Sequence, residues 1–191
     1  MRTTQAPPPA QRYSAVAIGL HWVMAGLLGA CWGVGSWMTE LAISPRKLQW
    51  YAWHKWAGVS IFLLLLVRLG WRLYQLPPPL PVMPVWQSWA ARLNHALLYV
   101  LMAVVPLSGW LFSSAAGFTT VWFGLWTLPN LVAKDANLQV VFRSIHDLTT
   151  SLLAILVVLH GALAIKHHWL DRDRLLARMI PGLQPRSGPR S

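Results

Sequence analysis

The chain has 191 residues, 55% of them hydrophobic and only 11% charged, with a formal net charge of +11. That balance is too apolar for an ordinary soluble domain, and no charged residue occurs between Arg12 and Glu40, between Arg92 and Lys134, or between Asp147 and Lys166. Runs of this length pass the threshold of roughly 18 to 20 apolar residues for crossing a bilayer, so the sequence predicts a single-domain integral membrane protein. The positive charge does not indicate nucleic-acid binding. The basic residues fall between hydrophobic segments and in the tail, as topology signals do, and no helix-turn-helix, zinc finger or aromatic-basic platform is present.

In chain order, residues 1–12 form a polar, proline-rich lead that is expected to be disordered. A first span is expected over about 13–38, with His21 two turns inside it and Ala25, Gly29 and Gly33 following at a spacing of four. Such small residues serve close helix packing or homodimerisation, and they equally let a planar group approach the backbone. Cys31 is the only cysteine, so there is no disulfide framework and no Cys-x-x-Cys-His for covalent haem attachment. Leu28-Gly29-Ala30-Cys31 resembles a lipoprotein cleavage box, but the apolar run continues through Trp37. The expected state of Cys31 is a buried thiol in an uncleaved span.

The second span is expected over about 49–73. His54 lies near its start among Trp50, Trp53 and Trp56, an aromatic belt suited to the headgroup level, and Arg68 and Arg72 lie one turn apart at its far end. Either arginine could snorkel to the surface or hold an anionic group. Leu76–Pro84 (LPPPLPVMP) should be a stiff extended connector. The third span, about 91–113, carries His95 near its start and Pro106 as a kink. Residues 114–142 are too irregular to span again, and VWFGLWTLP within them reads as an interfacial segment. The fourth span, about 144–169, opens with Ser144 and Asp147 at capping-box spacing. A basic, mobile tail is expected over 170–191. Eleven Lys and Arg fall on the side of the termini and the second connector against five opposite, which places both termini in the cytoplasm.

The chemistry lies in the histidines. His146 and His160 are fourteen residues apart, a spacing that returns to the same helix face within about 40° and separates them by about 21 Å along the axis. Ionisable groups inside a membrane are costly and usually functional. His54 and His146 each open a span at the outer surface and form a level pair. His160 lies near the inner surface, where His21 matches its depth better than His95 does. Two opposed imidazole pairs in an apolar bundle suit bis-histidine haem b. Zinc would want four ligands at each depth.

RYSAVAIGLHW in the first span, HKWAGVSIFLLLLVRLGWR in the second, LNHALLYVLMAVVPLSGW in the third, WFGLWTLP in the outer loop, HDLTTSLLAILVVLHGALAIKHHW in the fourth and the basic LLARMIP after it occur in this order. Together they resemble the bacterial cytochrome b561 family over about residues 12–181. The resemblance implies an all-α, four-transmembrane-helix bundle of the bacterial inner membrane enclosing two non-covalent haem b groups. It implies haem ligands at His21, His54, His146 and His160, the four that depth selects. It also includes members that oxidise superoxide at the periplasmic face and reduce ubiquinone.

His167 continues the His146–His160 face at the inner end and is a candidate quinone contact, while an interfacial histidine reaching for the surface fits equally well. Lys55 and Arg143, with Arg68 and Arg72 at the other end, are candidates for holding haem propionates or steering an anion. No P-loop, nucleophile elbow or metalloprotease motif points to other chemistry. The expected function is transmembrane electron transfer as a superoxide:ubiquinone oxidoreductase. The alternatives are a membrane anchor exchanging electrons with a separate redox partner and a non-redox haem-binding membrane protein.

Overall fold

In a computed structural model, residues 12–79, 83–170, 175–180 and 183 are described. Four long helices carry the chain: α1 (Ala15–Glu40), α2 (Pro45–Tyr74), α3 (Val85–Ala115) and α4 (Ala136–Trp169). Each is long and apolar enough to cross a membrane. Their outward residues are apolar too: Val67 is 56% exposed, Ile155 62% and Val158 72%. A soluble four-helix bundle would show polar residues there; these faces are solvated by lipid tails.

The helices form two antiparallel hairpins, α1 on α2 and α3 on α4, and α2 packs against α3 as the seam between them. One buried layer ties all four together: Met24 of α1, Leu65 of α2, Leu98 and Met102 of α3, and Leu153 of α4. Met24 is 2% exposed and Leu65 1%. The start of α1, the 75–84 connector and the end of α4 share one end of the bundle, here the terminal end; the 41–44 and 116–135 connections occupy the opposite, loop end.

Two helix starts follow from local chemistry. Ser14 accepts from Ala17 N–H at the start of α1, and Ser44 accepts from Lys47 N–H ahead of Pro45 at the start of α2. At the end of α3, Gly117 has φ +82°, and the bonds Gly117 N–H to Ser114 O and Phe118 N–H to Ser113 O close the helix in a left-handed cap.

The described part of the connector, residues 76–79 and 83–84, is non-helical as its prolines require, and α3 begins at Val85. The helices thus run past the apolar cores that mark the spans, because apolar length measures the bilayer and not where the backbone bonds stop. VWFGLWTLP contains a small antiparallel hairpin, Val121–Trp122 with Trp126–Thr127, turned by Phe123 (φ 50°) and Gly124 (φ 73°). Trp56 donates to Val121 O and Trp122 donates to Trp56 O and Ser60 Oγ, so this hairpin is tied to the loop-end half of α2.

The expected cap at Ser144–Asp147 is corrected. α4 starts eight residues earlier, where the Asp135 carboxylate accepts from the N–H groups of Asn137 and Leu138 at 2.8 and 3.0 Å. By Ser144 the backbone N–H groups already have helical partners, and the Ser144 hydroxyl donates back to Val140 O. Asp147 instead meets Arg143 one turn earlier, at 3.7 Å on an exposed face.

The expected lead, residues 1–12, lies outside the described residues except for Arg12. Of the expected tail, residues 170, 175–180 and 183 are described. Residues 175–180 pack on the bundle. They include a 3₁₀ turn, Leu176–Arg178, whose Ala177 is buried against the bundle and which packs on α4.

Candidate functional site

The structure brings five of the chain's histidines to two levels. At the loop end His54 of α2 faces His146 of α4, with ring centroids 6.3 Å apart and planes at 87°. At the terminal end His21 of α1 faces His160 of α4 at 6.2 Å and 60°. His95 of α3 also meets His160, at 5.3 Å and 71°. Both levels lie between the two helical hairpins, with the buried Met24–Leu65–Leu153 layer between them.

These separations discriminate between the histidines. A metal–imidazole bond of about 2 Å, plus about 1 Å from nitrogen to ring centre, puts two imidazoles on opposite sides of one metal about 6 Å apart. The His54–His146 and His21–His160 separations have that value. His95 and His160 are closer than that and form an edge-to-face ring contact. Among the described residues no group of three or more His, Cys, Asp or Glu converges as zinc would require.

The loop-end rings are held in the tautomer a metal needs. Each Nδ1–H donates to a carbonyl of the neighbouring helix: His54 to Cys31 O at 3.1 Å, and His146 to Val105 O at 3.0 Å. The proton is therefore on Nδ1 and Nε2 keeps its lone pair. The Cys31 thiol lies 3.4 Å from the same His54 nitrogen, and the Ser108 hydroxyl lies 3.2 Å from that of His146. Cys31 is half-buried within uninterrupted α1.

Two glycines make room for these rings. A Cβ on Gly35 would stand 2.9 Å from His54 Cε1, and one on Gly109 would stand 3.0 Å from His146 Cε1. Gly109→Ala is expected to push His146 off its seat, at a cost of about 1–3 kcal/mol for overpacking. Thermal unfolding of the purified protein checks this; an unchanged midpoint would mean that the ring moves freely. Gly29 and Gly33, by contrast, have nothing within 4 Å of an added Cβ, so neither is a close-packing contact within the chain.

The terminal-end pair has different partners. Asn94 Nδ2 lies 3.3 Å from His160 Nδ1, while the buried Asn94 Oδ1 has no hydrogen-bond partner. Exchanging the amide oxygen and nitrogen, which differ little in shape, lets Oδ1 accept from His160 Nδ1–H and leaves His160 Nε2 free. At His21 the partner of Nδ1 is the Arg68 guanidinium, at 3.3 Å.

Arg68 also donates to Tyr99 Oη at 3.1 Å, and Arg72 stacks over the same ring. Both arginines therefore stand by the terminal-end pair. Lys55 reaches Ser113 Oγ on α3, 3.4 Å away, beside the loop-end pair. Arg143 lies on the exposed surface in its ion pair with Asp147. The last turn of α4 carries Lys166, His167 and His168; His168 is buried and His167 half-buried.

Sequence depth could find the histidines, but it missed Cys31, Asn94, Val105, Ser108, Gly35 and Gly109 as their partners. These act through a backbone carbonyl, an amide or a missing side chain on another helix. None of them has a sequence signature of its own.

A membrane-spanning helical bundle with two levels of facing histidines, each pair spaced for one metal, has the donor set of a bis-histidine haem cytochrome. The chain belongs to the prokaryotic cytochrome b561 family, whose model matches residues 12–182. It is 33% identical over 176 residues to cytochrome b561 homolog 2 of Escherichia coli, covering 89% of this chain and 92% of that protein. It is 27% identical over 175 residues to a protein of Yersinia pestis named probable superoxide oxidase CybB, covering 90% of this chain and 97% of that protein. Cytochrome b561 homolog 1 of Escherichia coli is 27% identical over 174 residues, with 89% and 97% covered. The protein is thus a multi-pass protein of the bacterial inner membrane, in a family of b-type haem cytochromes that carry electrons.

Proposed function

We propose that this protein binds two haem b groups, one at each histidine level, and passes electrons from periplasmic superoxide to ubiquinone. The observation that carries the reading is the pair of separations, 6.3 Å for His54–His146 and 6.2 Å for His21–His160. Bound haem supplies a reversible one-electron couple at each level. The charge bias of the connections supports a cytoplasmic terminal end and a periplasmic loop end.

The residues divide the work. His54, held by Cys31 O, and His146, held by Val105 O, present Nε2 at the periplasmic level; His21 and His160 do so at the cytoplasmic level. Ligation through Nε2 puts the His21 proton on Nδ1, where a guanidinium cannot accept it. That end of Arg68 would then be released to an acidic group while Nε stays on Tyr99, so Arg68 and its neighbour Arg72 are suited to the haem propionates.

Lys55 at the periplasmic level adds positive charge that draws in a small anion, and Arg143 adds less because Asp147 partly offsets it. Two superoxide anions each give up one electron and leave as O2; one ubiquinone takes the two electrons and two protons. His167, in the last turn of α4, is suited to hold the quinone headgroup.

Visible spectra of the purified oxidised protein test the proposal. Reduction by a superoxide-generating system followed by reoxidation by added ubiquinone is the expected result. Reduction only by quinol would refute superoxide as donor. It would favour exchange with a separate redox protein, for which the exposed hairpin residues Leu125 and Trp126 offer a contact surface. Substituting His167 by alanine is expected to retain haem while slowing quinone turnover several-fold; normal turnover would remove it from the site.

A further inference from the structure

The tail turn is tied to the terminal-end site through one residue. The indole N–H of Trp22 donates to Met179 O at 2.8 Å, across 157 positions of sequence. The same Trp22 ring stands edge-on to His21, with centroids 5.3 Å apart and planes at 82°. The turn has its own anchors: Arg178 donates to Pro79 O at 2.7 Å, Ala177 is buried, and Leu176–Arg178 packs on α4. It therefore joins α1, the second connector and α4 at one point.

Trp22 needs such a tie. Its side chain is nearly half exposed, so packing alone does not select one rotamer. The hydrogen bond to a fixed carbonyl does. Among the described residues His21 has no backbone carbonyl on its Nδ1, unlike the two loop-end histidines; that nitrogen meets the Arg68 side chain. Neither ring of this pair has a backbone seat, since His160 meets the Asn94 amide, and Trp22 abuts His21.

We propose that Trp22 is a positioning residue, clasped by the carboxy-terminal turn, that fixes the orientation of the His21 imidazole. The clasp acts on the terminal-end level alone, because the loop-end rings are seated by Cys31, Val105, Gly35 and Gly109. The inference rests on the reading of His21 as a haem ligand. Supporting groups behind a metal ligand typically change metal affinity about 10- to 100-fold when lost.

The test uses full-length Trp22→Phe, which keeps an aromatic ring and loses the donor, a chain stopped after Arg174, and the combination. Electron paramagnetic resonance of low-spin ferric haem reports the orientation of the axial rings, and haem capture by excess apomyoglobin reports retention. Both single changes are expected to shift the His21-dependent signal and speed release of that haem about tenfold. The loop-end signal stays constant, and the combination does no more than either change alone, as one shared contact requires.

Unchanged signals, equal effects on both haems, or additive effects would each overturn the clasp. A wild-type spectrum with no signal that depends on His21 would count against the haem reading instead. The clasp then has a readout free of haem: the Trp22 indole proton, protected from solvent exchange in the full chain and released in the shortened one. An unprotected indole in the full chain overturns it as well.

Discussion

Replacing His146 by alanine is expected, on the proposed reading of one haem at each level, to leave one haem per chain in place of two. His146 is one half of the loop-end pair, and its partner His54 cannot hold the group alone at the same affinity. Losing a direct ligand should exceed the 10- to 100-fold loss that supporting groups bring. The rest of α4 should persist, because Leu153 remains in the buried layer with Met24, Leu65, Leu98 and Met102. The pyridine haemochrome assay against protein concentration gives the count, and two haems per chain in the variant would remove His146 from the ligand set. His146→Met offers a thioether to the same iron and is expected to retain haem at a raised reduction potential, because a methionine ligand raises it. That variant separates loss of a ligand from loss of the fold.

The second large effect distinguishes two histidines of similar depth. His21→Ala is expected to remove the terminal-end haem, while His95→Ala keeps both. Proximity alone would favour the other choice: His95 lies nearer to His160, at 5.3 Å, than His21 does at 6.2 Å. An iron between two imidazoles needs about 6 Å from ring centre to ring centre, so the nearer ring is too close to share a metal. Haem content and redox titration of the two variants decide it. Loss of the terminal-end haem in His95→Ala, with both retained in His21→Ala, would reassign the ligand.

The two variants also probe different surroundings. Removing His21 frees Arg68 from the ring it now meets and leaves Trp22 without its edge contact. Removing His95 takes away a ring contact with His160 and leaves the Asn94 amide beside His160 Nδ1. The His95 variant should therefore fold like the native chain, with its effect confined to how firmly His160 is packed.

Several features of this protein are set by the sequence alone, because they follow from periodicity and length. Long apolar runs, three of them uninterrupted by charge, fix the four helices, since a backbone in lipid must satisfy its own hydrogen bonds. The fourteen-residue spacing of His146 and His160 puts both on one face of a helix, and the prolines after Leu76 break the chain between α2 and α3.

The start of α4 was not legible. Ser144 and Asp147 have the spacing of a cap, yet Asp135 caps the helix, because a cap is defined by which N–H groups lack partners and not by residue type. Nor could the sequence reveal the tie between Trp22 and Met179, or the seats of His54 and His146 on Gly35 and Gly109.

The choice between His21 and His95 marks the boundary between the two kinds of information. Depth along a helix is a one-dimensional quantity, and it ranks them. The distance between two rings depends on how far apart the helices stand and how each is rotated, which only the packed bundle decides.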